Sequence, residues 1–446
     1  MGKRVRSTKR LIGSTIRRIP GGQALLNLRH AGAIQAELEH ALRDARVQRR
    51  YAKQEHRRAN AEAKRADLAE RSARVQRRQA NEYEALSRTV KLLPRHRYGS
   101  LTSGADEWTK KWDSSPGRRI LLFAKRDYSG SFYKWAAAIN EFTPYAARLV
   151  TTAPHQYGYP LDILIPNPNL IDSNWRELWA EADVLHLKDE TGFMNGSNQL
   201  PPEMLSGFAG PVVFTQYGGY ARKHRDDPEY QSFVLGLDSV VSMTPDLCFE
   251  WLGDTPNYVP HSIDTAAFPY AWTDKLVVGH SPSTRARKGT TEFLAAVEQL
   301  VLETPVELEL IEGVSHAEAI RRKRETGIFF DQAGREVEST LGINSIIGWY
   351  GNSALEAAVY GVPTIAHLSE YALGGAVRSG SLVPDSIPFL NTQLGTEGIL
   401  ETLRTYFDMS SGEREALSLR TRRFIEDFHS QEAVGQRLAQ LYDPLI

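Results

Sequence analysis

Two stretches in the second half of the chain combine charge with sharp backbone turns. HSPSTRARKGT, residues 280–290, carries Arg285, Arg287 and Lys288 in a polar loop between an apolar run and a helical pattern. Backbone amides at a helix start, with the cations Arg285 and Lys288, suit a diphosphate and would stabilise it as charge develops during bond cleavage. The GxxxxGKS/T spacing of an ATPase loop is missing. GWYGNSALEAAVYGVPTIA, residues 348–366, joins a glycine-rich turn to a short helix. Asn352 or Ser353 caps that helix, Gly361 ends it beyond Tyr360, and Pro363 enters the next strand. Glu356 then lies one turn inside, where its carboxylate can line a cleft. Taken singly, each stretch also reads as an ordinary junction with solvated charges.

The elements that must position these residues are short apolar strands alternating with helical stretches. RRILLFAK (118–125), ARLVTTA (147–153), DVLHL (183–187), PVVFTQY (211–217) and SVVSM (239–243) are strand candidates, with helices near 173–181, 201–207 and 228–236. The alternation restarts with KLVVGHSP (275–282), VELELIEG (306–313), TGIFFDQ (326–332), INSII (343–347) and VPTIA (362–366). Such alternation predicts parallel sheets covered by helices on both faces. We expect Rossmann-like α/β domains over 117–272 and 273–425, a helix over 426–446 that packs back on the first, and a site in the cleft between the domains.

Composition sets wider limits. At 446 residues, the chain can hold two domains with a core in each. No run of eighteen apolar residues is present and no apolar signal core opens the chain, which predicts a cytoplasmic protein that does not span a membrane. The one cysteine, Cys248, excludes an internal disulfide and a cysteine-cluster metal site, and reads as a buried small hydrophobe.

A formal net charge of zero conceals a division. Residues 1–100 hold 25 Lys or Arg against 9 Asp or Glu, while the remaining 346 hold 29 against 45. Residues 1–22 read as a basic amphipathic segment suited to an anionic membrane surface, with Val5, Ile12, Ile16 and Ile19 on one helical face. Residues 23–95 read as a long charged helix or weak coiled coil that could self-associate into a homo-oligomer, and 96–116 as a linker. Nucleic acid is the competing partner for this arm. Its tyrosines Tyr51 and Tyr83 are isolated, which disfavours stacking on single strands.

HSPSTRARKGT, IFFDQ and GWYGNSALEAAVYGVPTIA, in this order, resemble the nucleotide-sugar domain of retaining GT-B glycosyltransferases of the family 4-like group (glycosyl transferases group 1). SMTPDLCFEWLGDTPNYVPHSIDTAAF, 242–268, resembles that family's end-of-domain helix and hinge. The resemblance covers about residues 117–440 and leaves out the basic arm. It implies a GT-B fold and a UDP- or GDP-sugar donor used as substrate. It demands no cofactor and no metal, since two cations neutralise the phosphates.

By resemblance, Lys288 contacts the donor diphosphate, Arg285 is a second phosphate ligand, and Glu356 receives the ribose hydroxyls. His280, Ser281 and Ser353 belong to the same donor site, and Gly130 marks the first glycine loop that approaches donor and acceptor. Tyr217 stands where several members carry a histidine near the transferred sugar, although a phenol with a pKa of about 10 cannot take the same proton role. His186, at the end of DVLHL, is placed by this fold to face the cleft. The family's usual second carboxylate falls at Gly348, and Asp331 is the nearest candidate to act in its place. The implied activity is transfer of a sugar to a glycan or lipid-linked acceptor in surface polysaccharide or glycolipid assembly, at the inner face of the membrane. The alternatives are glycosylation of modified nucleic acid or protein, and an inactive GT-B scaffold.

Overall fold

A computed structural model describes residues 105–446 apart from 156–157, 166–172, 189–206, 254–255, 334–335, 339–343 and 347. The expected basic segment 1–22, the long helix 23–95 and nearly all of the helix expected over 201–207 lie outside the described residues. Within the stretch read as a linker, Ala105–Asp113 is helical. Its Trp112 is fully buried and donates from Nε1 to Glu181 Oε2 at 2.8 Å. A large indole sealed against the sheet fixes this turn of chain, an anchor that the polar linker composition hid.

The first sheet contains β1 Arg119–Arg126, β2 Ala146–Ala153, β3 Ile163–Leu164, β4 Val184–Lys188, β5 Val212–Gln216, β6 Ser239–Ser242 and β7 Asn257–Tyr258. The strands run parallel in the order β3-β2-β1-β4-β5-β6-β7. Leu121, Leu122, Phe123 and Ala124 of β1 are all buried, as expected of a central parallel strand covered on both faces. The helix Ser131–Phe142 lays Phe132, Trp135, Ala136 and Ile139 on the sheet at helical spacing. Fully burying each of the large apolar side chains is worth roughly 1.5–3 kcal/mol.

That helix begins under electrostatic control from β1 and β4. Asp127, just past β1, accepts from the Phe132 and Tyr133 amides, each at 2.9 Å. A carboxylate is favoured at a helix N-terminus because unpaired amides and the helix dipole both point at it. Lys188, the last residue of β4, pairs with the same carboxylate at 2.9 Å, and both side chains are buried. The loop between them makes a tight turn in which Ser129 has φ 62 and Gly130 has φ 61. A side chain at position 130 would also meet the Tyr159 ring at 2.9 Å.

The second sheet contains β8 Val277–His280, β9 Glu307–Leu310, β10 Ile328–Gln332, β13 Thr364–Ala366 and β14 Leu390–Asn391, all parallel in the order β14-β13-β10-β8-β9. The remaining strands, β11 Glu336–Glu338 and β12 Asn344–Ile346, pair antiparallel in a separate ribbon. The INSII run was expected in the main sheet. Antiparallel pairing with a near neighbour in sequence satisfies its backbone without a crossover helix. On one face, Phe293 of the helix Thr290–Leu300 stacks on Phe330 with ring centres 4.5 Å apart.

The chain crosses between sheets twice, and the crossings are bonded to each other. The Ile263 amide donates to His429 O at 2.8 Å, and His429 Nδ1 donates to His261 O at 2.7 Å. His429 Nε2 is left to accept from the Tyr350 hydroxyl at 3.0 Å. Beyond the second crossing, the helix Gln431–Tyr442 lies on Ser131–Phe142, where Gly435 brings its backbone close to Ala138. In place of the expected end-of-domain helix, 242–268 holds two short 3-10 turns, Pro245–Leu247 and Glu250–Leu252. Cys248 is buried beside them.

Lys188→Met would leave Asp127 buried with one charge partner fewer, and losing one side of a buried ion pair costs about 3–5 kcal/mol. Urea unfolding of this variant is expected to show that loss, with a lowered midpoint and an unchanged slope. An unchanged midpoint would show that Lys188 does not hold the turn before the first helix.

Candidate functional site

The chemistry gathers at the carboxyl ends of both sheets. From β8 the chain enters the loop 281–284, a single helical turn Arg285–Lys288, and, after Gly289, the helix Thr290–Leu300. Lys288 Nζ pairs with Asp331 Oδ1 at 2.8 Å and reaches Gln332 Oε1 at 3.3 Å. Asp331, at the end of β10, is buried, and its Oδ2 accepts from the Gly351 amide at 2.8 Å. One carboxylate thus ties the basic loop to the turn before the glutamate helix. The Lys288 side chain remains 15% exposed, so its ammonium is held by two acceptors on a residue that is not sealed from solvent.

Glu356 lies on the helix Asn352–Ala358. Its carboxylate accepts from His316 Nε2 at 2.8 Å and from Lys323 Nζ at 2.5 Å. Both basic residues come from the helix His316–Lys323. Burial alone would raise the Glu356 carboxyl, but the Lys323 ammonium, helped by His316 and Lys134, holds it far below the usual carboxylate range. The result is a buried permanent anion with acceptor capacity left on its oxygens.

The two sheets meet over this anion. Asn352 or Ser353 was expected to cap this helix. Instead Gly351 is the N-cap, and Asn352 Nδ2 donates across the cleft to Ser129 O at 2.9 Å. Tyr159, from the first sheet's loops, packs its ring 4.3 Å from that of His316. Lys134 on Ser131–Phe142 is partly exposed; burial pulls its ammonium below the ordinary value, and Glu356 and Asp127 partly restore it. His261 is held well below its ordinary pKa by burial first, then by Lys134 and Lys188.

Other expected residues take different places. Ser281 and Ser353 are neighbours, with Ser353 Oγ 3.4 Å from Ser281 O, so they join the basic loop to the glutamate helix. Gly130 forms the turn that faces Asn352. Tyr217 lies beside the cleft under the Lys188 ammonium, 4.4 Å from its ring centre, and stacks toward Tyr128.

Three expectations need correction. His186 does not face the cleft: it is fully buried, with Nδ1 at 2.6 Å from Tyr442 Oη and Nε2 at 2.6 Å from Thr215 Oγ1, and burial lowers its pKa to about 3. Alternation along β4 points it at the C-terminal helix. His280 is buried with both nitrogens engaged, by Phe330 O and Thr290 Oγ1, each at 2.9 Å, so it ties strand to helix and has no atom left for phosphate. Arg285 is not gathered beside Lys288. Its exposed guanidinium grips Glu312, with Nε at 2.8 Å from Oε1, because a bidentate carboxylate lies within reach on the following loop.

Gly348 has a steric explanation. A side chain there would lie 2.3 Å from Ser369 Cβ, and the Gly348 carbonyl accepts from the Ser369 amide at 3.1 Å. The turn is closed by Ser369, which caps the helix Glu370–Arg378, so no carboxylate fits at 348. Sequence reasoning missed Gln332, His316 and Lys323. The signal for the last two was available: 316, 320 and 323 share a helical stripe with the buried Ile320. Among the described residues no group of three or more His, Cys, Asp or Glu is placed to hold a metal ion.

No family model matches the chain, and no curated protein sequence does. Solved structures do share its fold. A glycosyltransferase from Rickettsia africae ESF-5 superposes with a TM-score of 0.51 at 11% identity, over 74% of this chain and 98% of its own. An alpha-glucosyltransferase in complex with UDP-glucose and DNA containing an abasic site gives 0.50 at 10% identity, over 73% and 99%. The architecture is that of the GT-B fold, two parallel α/β sheets facing one another.

Gly348→Ala is expected to destabilise the protein, since overpacking of a closed site typically costs about 1–3 kcal/mol. Gly348→Glu, the substitution that restores the missing carboxylate, is expected to lose more stability and gain no donor affinity. Thermal melts with UDP titrations test both; a Gly348→Glu protein that melts like the parent would refute the steric account.

Proposed function

We propose that this protein is a retaining glycosyltransferase of the family 4-like group that moves a sugar from a nucleotide diphosphate sugar to an acceptor. The observation that carries the reading is that one sheet presents an ammonium held by Asp331 and Gln332, Lys288, and a buried anion, Glu356, with Asp331 tying the Lys288 turn to the Gly351 amide before the glutamate helix. A nucleoside diphosphate needs both: cations for its phosphates and an acceptor for its ribose hydroxyls.

In this reaction the bond from the sugar's anomeric carbon to the diphosphate oxygen breaks and the electron pair leaves with the diphosphate. Lys288 stabilises that leaving charge, with Asp331 and Gln332 holding its ammonium in place, so Asp331 is a positioning residue. The acceptor hydroxyl attacks the same face of the anomeric carbon, and its proton passes to the departing phosphate oxygen. Retention, and this front-face course, rest on the resemblance of segments 280–290, 328–332 and 348–366 to retaining enzymes. Arg285 can join the diphosphate only by leaving Glu312.

UDP or GDP is the nucleotide, and a glycan or lipid-linked hydroxyl is the acceptor. Within the same proposal the basic residues 1–22 attach the enzyme to an anionic membrane surface and 23–95 associate with other copies. Vesicle sedimentation of full-length and 23–446 proteins tests the attachment, which is expected to weaken with salt.

Lys288→Ala should lower turnover about 10²–10³-fold, the usual cost of losing one oxyanion-stabilising donor. Less than a twofold change in turnover and UDP or GDP affinity would remove Lys288 from the mechanism. Glu356→Gln should weaken nucleotide binding in calorimetric titrations of the folded protein.

Lys323→Met gives a test by pH. In the parent, Glu356 is depressed below its ordinary value, so its anion is present throughout pH 5–8 and is lost only as pH falls through the depressed pKa. Without the ammonium, the largest charge opposing burial is gone and the carboxyl rises from its depressed value. Relative to the parent, the variant is expected to lose UDP or GDP affinity as pH falls from 8 to 5, because its carboxyl takes up a proton in a range where the parent's does not. A pH-independent ratio would show that this carboxylate does not hold the nucleotide.

A further inference from the structure

The carboxylate proposed for the ribose is reached from the opposite sheet through two of its neighbours. Asn352 and Glu356 are four residues apart on one helix and so share a face. Asn352 Nδ2 donates to Ser129 O, in the turn after β1. On the other side, His316 Nε2 lies 2.8 Å from Glu356 Oε1, and its ring centre lies 4.3 Å from that of Tyr159. Tyr159 is in turn seated on the same first-sheet turn, since a side chain at Gly130 would stand 2.9 Å from its Cδ1. One tight turn thus reaches the proposed ribose anion along two short chains of contact.

His316 is the link in the second chain that has room to turn. It opens the helix His316–Lys323, follows a loop in which Gly313 has φ 67, and keeps its side chain 21% exposed. An ionised carboxylate only accepts, so Nε2 carries the proton that points at Oε1. That bond fixes where one nitrogen lies, and the Tyr159 ring fixes the plane of the imidazole about it. Tyr159 is itself supported by His155, edge to face with ring centres 5.0 Å apart. Burial first, then the Arg126 charge, lowers the His155 pKa to about 4, so this support is an uncharged ring at neutral pH.

We infer that Tyr159 is a positioning residue for the nucleotide: it holds the His316 imidazole on Glu356 and thereby fixes which lone pairs of that carboxylate are left for ribose hydroxyls. Lys323 meets Oε2 and His316 meets Oε1, so the remaining acceptor directions are set by where these two donors stand. Lys323 is buried and held in place. Without the Tyr159 ring, the partly exposed imidazole regains rotamers that point away from Glu356, and keeping it there costs conformational entropy. Donor affinity then depends on a residue of the first sheet, although the donor contacts themselves are assigned to the second. This inference rests on the ribose assignment of Glu356 above.

The test is a double-mutant cycle in the full-length protein, read by calorimetric titration with UDP and with GDP. Tyr159→Ala is expected to weaken the nucleotide that binds about 2–10-fold, the worth of an aromatic pair. Tyr159→Phe, which keeps the ring, should bind like the parent. Tyr159→Leu keeps bulk without the flat face; it is expected to show a loss of the same size and serves if the alanine variant does not fold. In a His316→Ala background the Tyr159→Ala step should have no further effect, because the residue it acts through is gone. An unchanged affinity in Tyr159→Ala, or an equal loss with and without His316, overturns the positioning role. Urea unfolding of the same four proteins of the cycle reads the contact without any ligand. If neither nucleotide binds the parent, the ribose assignment fails, and the urea cycle still decides the rest: additive midpoint shifts show that Tyr159 does not hold His316, and non-additive shifts show that it does.

Discussion

The site depends on one buried carboxylate. Asp331 ends β10 with no exposure to solvent, and it holds the Lys288 ammonium on one oxygen and the Gly351 amide on the other. An anion in that position must be met on both oxygens, because an uncompensated buried charge costs several kcal/mol. Meeting it fixes the basic loop and the glutamate helix relative to each other. The separation of the proposed phosphate and ribose contacts is thereby set from the carboxyl end of the central strand of the second sheet.

The same economy governs the rest of the cleft. Asp127 takes the helix amides of Phe132 and Tyr133 as well as Lys188, and Glu356 takes His316 as well as Lys323. In each case a carboxylate is met by several donors, so its neighbours are held in orientation. Such charges contribute little to net stability, since desolvation offsets much of their attraction. Their physical value lies in pre-organisation: the groups that meet a ligand are already aligned before it arrives.

Approach of the two sheets is restricted by the double crossing at 259–276 and 425–430. His429 bonds to His261 on one side and Tyr350 on the other, and Trp135 Nε1 donates to Pro260 O at 3.0 Å. Tyr350 belongs to the same turn as Gly348 and Gly351, so the hinge and the donor-side turn share one buried cluster. Asn352 to Ser129 and Tyr159 to His316 then span the open side of the cleft. Both spanning contacts join partly exposed residues, whereas the hinge contacts are enclosed.

The alternation of short apolar runs with helical stretches was legible in the sequence, because parallel strands buried on both faces leave little choice of residue type. Lys288 and Glu356 were legible as well, each beside a turn that glycine marks. The sequence could also place a carboxylate, Asp331, at the end of its strand. What it could not determine was pairing between segments far apart in the chain. Whether Arg285 turns to Lys288 or to Glu312, and whether His186 meets the cleft or Tyr442, depends on which loop comes within a few ångströms. The same holds for Gly348, whose missing side chain is explained only by Ser369, 21 residues later in sequence and in contact in space. Local pattern reports propensity and burial; the partner of a polar atom is decided by tertiary packing, where a distance of three ångströms separates a ligand from a structural tie.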